Sequence, residues 1–179
     1  MSELEALVRK PPIIAIVGAS KSGKTSLIEG LVASLTAKGY GVATIKHALE
    51  NPSFDREHKD SWRHIQAGSK ATLLVSAGQA VLIKPTNNEL NLEEAVQLLG
   101  SDYDIVLAEG FKGSHVPKIK VCKSGEKGDT SDLTNLIAVV SQEPVGGQVK
   151  RFSPHEIDQL ADFIQQNFLR PQTQAKLRE

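Results

Sequence analysis

The sequence has few of the features that mark secreted, membrane-embedded or nucleic-acid-binding proteins. It contains one cysteine, Cys122, so no disulfide can form within the chain. No apolar run approaches the roughly 20 residues that a transmembrane helix needs, and the first ten residues lack the apolar core of a signal peptide. The 21 basic and 21 acidic residues cancel, which gives no general reason to expect binding to nucleic acid or to a membrane surface. Together these absences predict a cytoplasmic protein.

What the sequence does contain is a phosphate-binding motif close to its N-terminus. Residues 18–25 read Gly-Ala-Ser-Lys-Ser-Gly-Lys-Thr and fit G-x-x-x-x-G-K-[ST], the P-loop or Walker A pattern. The apolar run 12–17 before the motif is typical of a buried parallel strand. In residues 26–38, leucines recur at the spacing of one helix face. The motif therefore lies between a strand and a helix, which is the context that a P-loop requires.

The residue types of the motif suit a nucleotide triphosphate bound with Mg²⁺. Glycines at its two ends allow the backbone to turn successive N–H groups towards an anion, and the following helix adds its positive end. Lys24 is expected to contact the β- and γ-phosphates, and the Thr25 hydroxyl is expected to bind Mg²⁺. For Lys21 a solvated position is the simpler interpretation. The predicted nucleotide contacts are Gly18, Ala19, Ser20, Lys21, Ser22, Gly23, Lys24, Thr25, Ser26 and Gly110.

A P-loop also needs an acidic residue at the end of a neighbouring strand to hold the hydrated Mg²⁺. The apolar segment 104–109 begins with Asp104 and ends with Glu109. Because ligands collect at the carboxyl ends of parallel strands, Glu109 is the preferred acid. The Gly110 N–H is expected near the γ-phosphate. The alternative is that Glu109 is a structural acid paired with Lys112 or serving as a cap.

The polar loop 47–60 follows a predicted strand and contains further candidates. Asp55 is a candidate metal ligand, and Asp60 is a candidate for positioning an attacking water. Asp60 or Ser61 is equally suited to cap a short helix, and His47 is either near the phosphate or packed in a structural role. The predicted catalytic residues are Lys24, Glu109 and Asp60, and the predicted metal ligands are Thr25, Glu109 and Asp55.

The order of elements predicts an α/β fold with a P-loop NTPase-like, three-layer architecture. A β-α-β unit over residues 12–46 implies a mainly parallel sheet. Two short strand patterns around Gly78 predict a β-hairpin extension, whose unpaired edge favours a homodimer. The predicted organisation is an N-terminal arm over 1–11, a nucleotide-binding domain over 12–169 and a polar tail over 170–179.

Several segments beyond the P-loop resemble the molybdopterin-guanine dinucleotide biosynthesis adapter family, MobB. The resemblance runs from about residue 12 to about residue 141 and is carried by the P-loop, Ile45-Lys-His47, Phe54-Asp55, Lys59-Asp-Ser61, Arg63-His64, Ala67-Gly68, Glu109-Gly-Phe-Lys112 and Pro117-Lys-Ile119. It implies a dimeric P-loop protein that binds GTP with Mg²⁺ and hydrolyses it weakly. It also implies an adapter acting with the guanylyltransferase that joins GMP to molybdopterin, rather than a stand-alone enzyme. Molybdopterin is a further candidate ligand.

One departure from the family bears on the nucleotide base. Family members often carry an acid after the strand equivalent to residues 136–140, whereas this chain has Ser141-Gln142. The sequence also lacks Asn-Lys-x-Asp, the common guanine-reading motif of GTPases. The residues by themselves therefore leave guanine and adenine both open. The alternative functions are an ATP-dependent small-molecule kinase or synthetase and a dimeric scaffold whose nucleotide is structural.

Overall fold

The computed structural model describes residues 10–48, 55–126, 130–146 and 148–169. Nearly all of the predicted arm and the whole predicted tail lie outside these ranges. The chain divides into two compact units. The hairpin unit comprises residues 48–90, and the sheet unit comprises the chain before and after it. Within the described ranges, no helix is both long and apolar enough to cross a membrane.

Eight strands and four helices make up the described chain. The strands are β1 Ile13–Val17, β2 Val42–Lys46, β3 Thr72–Ser76, β4 Gln79–Ile83, β5 Ile105–Glu109, β6 Lys118–Val121, β7 Leu136–Val140 and β8 Lys150–Phe152. The helices are α1 Lys24–Ala37, α2 Asp60–Gln66, α3 Leu92–Leu99 and α4 Ile157–Phe168.

The sheet unit is built on six strands in the order β2-β5-β1-β6-β7-β8. Every neighbouring pair is parallel. All six strands therefore end at the same edge of the sheet, where ligands of open α/β sheets bind. This edge collects the P-loop after β1, Glu109 at the end of β5 and Lys46 at the end of β2. The prediction of an α/β fold with a mainly parallel sheet is confirmed.

Helices cover both faces of this sheet because the strands are apolar on both faces. Side chains alternate along β5: Ile105 and Leu107 belong to the core cluster under α1 and α4, whereas Val106 belongs to the cluster under α3. On α1 the predicted leucine face is buried, and Leu31 and Leu35 have no exposed surface. Burying one leucine side chain contributes about 1.5–3 kcal/mol. The three layers follow from this two-sided burial.

The hairpin unit contains α2 and an antiparallel pair, β3 and β4. Leu73 lies opposite Leu82 in the register, and Gly78 takes a positive φ of 77° in the turn. The predicted β-hairpin is confirmed. Its apolar side chains are unusually exposed, with Leu73 at 60% and Val75 at 74%. A two-stranded hairpin is at best marginally stable alone.

Candidate nucleotide-binding site

The two P-loop positions Gly18 and Gly23 require glycine for different structural reasons. At Gly18 a Cβ would lie 2.3 Å from the carbonyl oxygen of Val121, so only glycine lets the loop approach β6 this closely. Gly23 takes a left-handed conformation, with φ of 98°, in the residue before α1. The loop therefore turns sharply into the N-terminus of a helix, and this end carries the partial positive charge that favours an anion.

The lysine of the motif lies against its own loop. Lys24 Nζ donates hydrogen bonds to the carbonyl oxygens of Gly18, at 3.1 Å, and Ala19, at 2.7 Å. Within the same loop, Ser22 Oγ is buried and has no hydrogen-bond partner among the described residues. Buried polar atoms of native proteins are normally partnered, so Ser22 provides a polar group in the loop for which a ligand oxygen is a suitable partner. Lys21 and Ser26 are exposed.

The two expected metal-binding side chains of the sheet unit meet across the sheet edge. Thr25 Oγ1 donates a hydrogen bond of 3.1 Å to Glu109 Oε2, although the residues are 84 positions apart. Lys46 Nζ lies 3.6 Å from the same oxygen. Lys112, the alternative partner of Glu109, instead pairs with Asp132. Asp104 lies at the opposite end of β5, where its carboxylate accepts a hydrogen bond from the Gly41 N–H at 2.7 Å.

The expectation that the Gly110 N–H lies near the γ-phosphate does not fit its hydrogen bond in the structure. Its N–H donates to the carbonyl oxygen of Ile16 at 3.0 Å, because the parallel ladder continues one residue beyond β5. The N–H is therefore used within the sheet and is not directed at a phosphate. A Cβ at Gly110 would lie 2.9 Å from His47 Cβ, so glycine here allows the ends of β2 and β5 to approach each other. The His47 ring stacks on Phe111, with centroids 4.9 Å apart, which gives this histidine a packing contact.

Asp55, Asp60 and Ser61 lie in the hairpin unit. The Ser61 hydroxyl is buried and donates to Asp55 Oδ1 at 2.9 Å. Asp60 is 89% exposed and forms an ion pair of 3.7 Å with Arg63 one turn along the helix. The prediction that Asp60 or Ser61 caps α2 is wrong: Lys59 is the N-cap residue, and no side chain makes a cap hydrogen bond. Ser61 is engaged with Asp55, and Asp60 already lies inside the helix.

β6 and β7 are parallel neighbours, so both end at the same sheet edge as β1 and the P-loop. Ser124 Oγ donates to Gln142 Oε1 at 3.4 Å, and Arg151 Nη1 donates to the Ser141 carbonyl oxygen at 3.0 Å. Cys122 is buried after β6, and its burial raises the pKa of the thiol. These contacts tie the two loops to each other and to β8. They place an exposed amide, Gln142, two residues after β7.

The groups around Thr25 and Glu109 fit a phosphate bound with a divalent cation. A hydroxyl and a carboxylate within hydrogen-bond distance provide the hard oxygen ligands that Mg²⁺ prefers. The Lys24 ammonium and the N-terminus of α1 provide positive charge for the phosphate. Sequence reasoning missed Lys46, because its contact depends on β5 lying beside β2 in the sheet.

Comparison with known proteins identifies the family. Residues 13–142 match the family model described as molybdopterin guanine dinucleotide synthesis protein B, MobB. The chain belongs to the MobB family. A molybdopterin-guanine dinucleotide biosynthesis adapter protein of Haemophilus influenzae is 33% identical over 86% of this chain and 88% of its own length. The Escherichia coli protein of the same description is 31% identical over 86% of this chain and 91% of its own length.

Solved MobB structures share the fold. A crystal structure of molybdopterin-guanine biosynthesis protein B is 30% identical, with a TM-score of 0.71, and covers 86% of this chain and 97% of its own. The crystal structure of Bacillus subtilis MobB is 28% identical, with a TM-score of 0.68, and covers 89% of this chain and 98% of its own. The resemblance inferred from the P-loop and the segments after it is therefore confirmed.

Proposed function

We propose that this protein binds GTP with Mg²⁺ at the P-loop and serves as an adapter in molybdopterin guanine dinucleotide biosynthesis. The observation that carries the proposal is the hydrogen bond between Thr25 and Glu109, beside a P-loop whose lysine lies within the loop. Relatives of similar length are described as adapters of this pathway. Their descriptions support the pathway, and the site geometry supports the ligand class.

The residues of the site suit binding better than fast hydrolysis. Lys24 would exchange its loop carbonyls for phosphate oxygens, and Thr25 and Glu109 would hold Mg²⁺, which neutralises phosphate charge when bound. Glu109 is engaged by Thr25 and lies beside Lys46, so it is a poor general base for an attacking water. We therefore propose a weak GTPase whose bound nucleotide controls docking to the guanylyltransferase. Molybdopterin is a second candidate ligand of the complex.

The exposed hairpin supports the proposal of a homodimer. Apolar side chains lie exposed on both β3 and β4: Leu73, Leu74, Val75, Val81 and Leu82. Contiguous exposed apolar surface of this kind marks interaction sites in soluble proteins. A second copy of the chain would cover it by pairing hairpins. Light scattering should give the mass of two chains, and a mass of one chain at micromolar concentration would refute this assembly. The cytoplasm is the proposed location, in keeping with the absences noted in the sequence.

Titration calorimetry tests the ligand. GTP and ATP are titrated with Mg²⁺ into the wild type, Lys24→Ala and a charge-matched control, Lys38→Ala. Lys38 pairs with Asp162 at the far end of α1, about 20 Å from the P-loop at 1.5 Å per helical residue. GTP binding that is lost in Lys24→Ala and kept in the control would support the proposal. Absence of binding to either nucleotide by the wild type would reject it.

The alternative is an ATP-dependent small-molecule kinase or synthetase. The observation that favours it is Gln142, whose amide both donates and accepts hydrogen bonds and so does not by itself select guanine. Under this alternative, the same calorimetry shows ATP binding equal to or tighter than GTP binding. Turnover stimulated by an added metabolite would then identify the acceptor.

A further inference from the structure

We propose that Lys46 is a second phosphate-directed ammonium whose pairing with Glu109 makes metal binding depend on the bound nucleotide. The inference deepens the proposed function, because it concerns the same site and rests on a nucleotide being bound there. It assigns to Lys46 two alternating partners, the Glu109 carboxylate and the terminal phosphate. The chemical class that Lys46 would select is a nucleoside triphosphate rather than a diphosphate.

The position of Lys46 is set by the sheet. Lys46 lies opposite Glu109 in the parallel register of β2 and β5. The following residue continues the ladder, because the His47 N–H donates to the Glu109 carbonyl oxygen at 3.0 Å. Gly110 permits this approach, since any Cβ there would meet His47. The backbone that carries Lys46 is therefore held beside the backbone that carries the metal-binding acid.

A single oxygen of Glu109 contacts both the Thr25 hydroxyl and the Lys46 ammonium. Glu109 Oε2 accepts the Thr25 hydroxyl at 3.1 Å and lies 3.6 Å from Lys46 Nζ. An ammonium at this distance opposes a divalent cation at the same oxygen, because like charges repel. The Glu109 side chain is 15% exposed whereas that of Lys46 is 65% exposed. The acid is thus enclosed, and the long lysine side chain has room to move.

Lys46 and Lys24 have different partners, so each would lose a different interaction on contacting a phosphate. Lys24 is held by neutral carbonyl oxygens of the P-loop, whereas Lys46 is paired with a carboxylate. If Thr25 and Glu109 held a divalent cation, Lys46 would lose its anionic partner. The terminal phosphate of a bound triphosphate would supply an alternative anion for this ammonium. A diphosphate lacks that group, so the exchange is complete only with a triphosphate.

Mn²⁺ binding, followed by electron paramagnetic resonance, tests the pairing without any nucleotide. The full-length wild type is compared with Lys46→Met, Lys46→Arg and the control Lys38→Met. We expect Lys46→Met to bind Mn²⁺ about two- to fivefold more tightly, the range of an exposed ion pair. Lys46→Arg and the control should match the wild type. Circular dichroism melting confirms that each variant is folded.

Calorimetry with GTP and GDP, each with Mg²⁺, tests the second partner. The preference for triphosphate over diphosphate should fall about two- to fivefold in Lys46→Met and stay unchanged in Lys46→Arg. Equal behaviour of Lys46→Met and Lys38→Met in both assays would overturn the inference while leaving nucleotide binding intact. If the wild type binds no nucleotide, the proposed function fails and the phosphate half of this inference fails with it. In that case, unchanged Mn²⁺ affinity in Lys46→Met overturns the other half.

Discussion

Replacing Lys118 with methionine should destabilise this protein more than any other single lysine change in the sheet. Lys118 begins β6 between β1 and β7 and has no exposed surface. Its Nζ donates to the carbonyl oxygens of Ser114 at 2.5 Å, Val116 at 3.3 Å and Thr134 at 3.0 Å. The ammonium thus joins the segment after Glu109 to the segment before β7. Methionine fills a similar volume but donates no hydrogen bond.

The size of the effect follows from two opposing terms. Each hydrogen bond to a charged group contributes about 1.5–3 kcal/mol. Burial of the ammonium lowers the pKa of Lys118, because desolvation disfavours the charged form that makes these three bonds. The sum of the bonds therefore overstates the loss. Methionine leaves buried neutral carbonyl oxygens without their donor, which costs about 1–3 kcal/mol, and we expect the loss for Lys118→Met to lie in the upper half of that range.

Urea unfolding followed by circular dichroism at pH 7 measures the loss, with Lys120→Met as the matched control. Lys120 lies two residues along the same strand, is 9% exposed and forms an ion pair of 3.2 Å with Glu126. Its replacement changes the net charge equally and should cost about 1 kcal/mol. Equal losses for the two variants, or a loss below about 1 kcal/mol for Lys118→Met, would refute the reasoning.

Three further changes test other parts of the molecule. Gly18→Ala should abolish nucleotide binding measured by calorimetry while the protein stays folded, because its Cβ would lie 2.3 Å from the Val121 carbonyl oxygen. Binding at wild-type affinity would show that the close approach of the P-loop to β6 is not needed. A hydrogen bond from the Lys123 N–H lowers the pKa of Glu126 below its usual value of 4.5. As the pH falls below 4.5, the unfolded chain therefore binds more protons than the folded chain, and stability is lost. Glu126→Gln should therefore lose less stability than the wild type in urea titrations on acidification, and parallel curves would count against this. Val75→Asp, on the 74% exposed hairpin position, should shift the light-scattering mass from two chains to one, and an unchanged dimer would exclude this surface from the interface.

Short-range patterns in the chain were sufficient to predict its local elements. The P-loop between β1 and α1 was predictable, because a glycine pattern, an apolar strand and a helical leucine spacing are all short-range features. The hairpin around Gly78 was predictable for the same reason. The cap of α2 was not, because a cap depends on one residue's backbone angles and on competing side-chain partners. Ser61 donates to Asp55 instead of to the helix.

The assembly of the site depends on contacts between segments that are far apart in the chain. The strand patterns in the sequence do not predict that β5 lies between β2 and β1. This order brings Glu109 close to Thr25 and Lys46. The same ladder engages the Gly110 N–H, which the sequence analysis had assigned to a phosphate contact. Strand neighbours are selected by burial and hydrogen bonding between segments far apart in the chain. Local patterns therefore identified the phosphate-binding motif, and long-range packing determined which charges surround it.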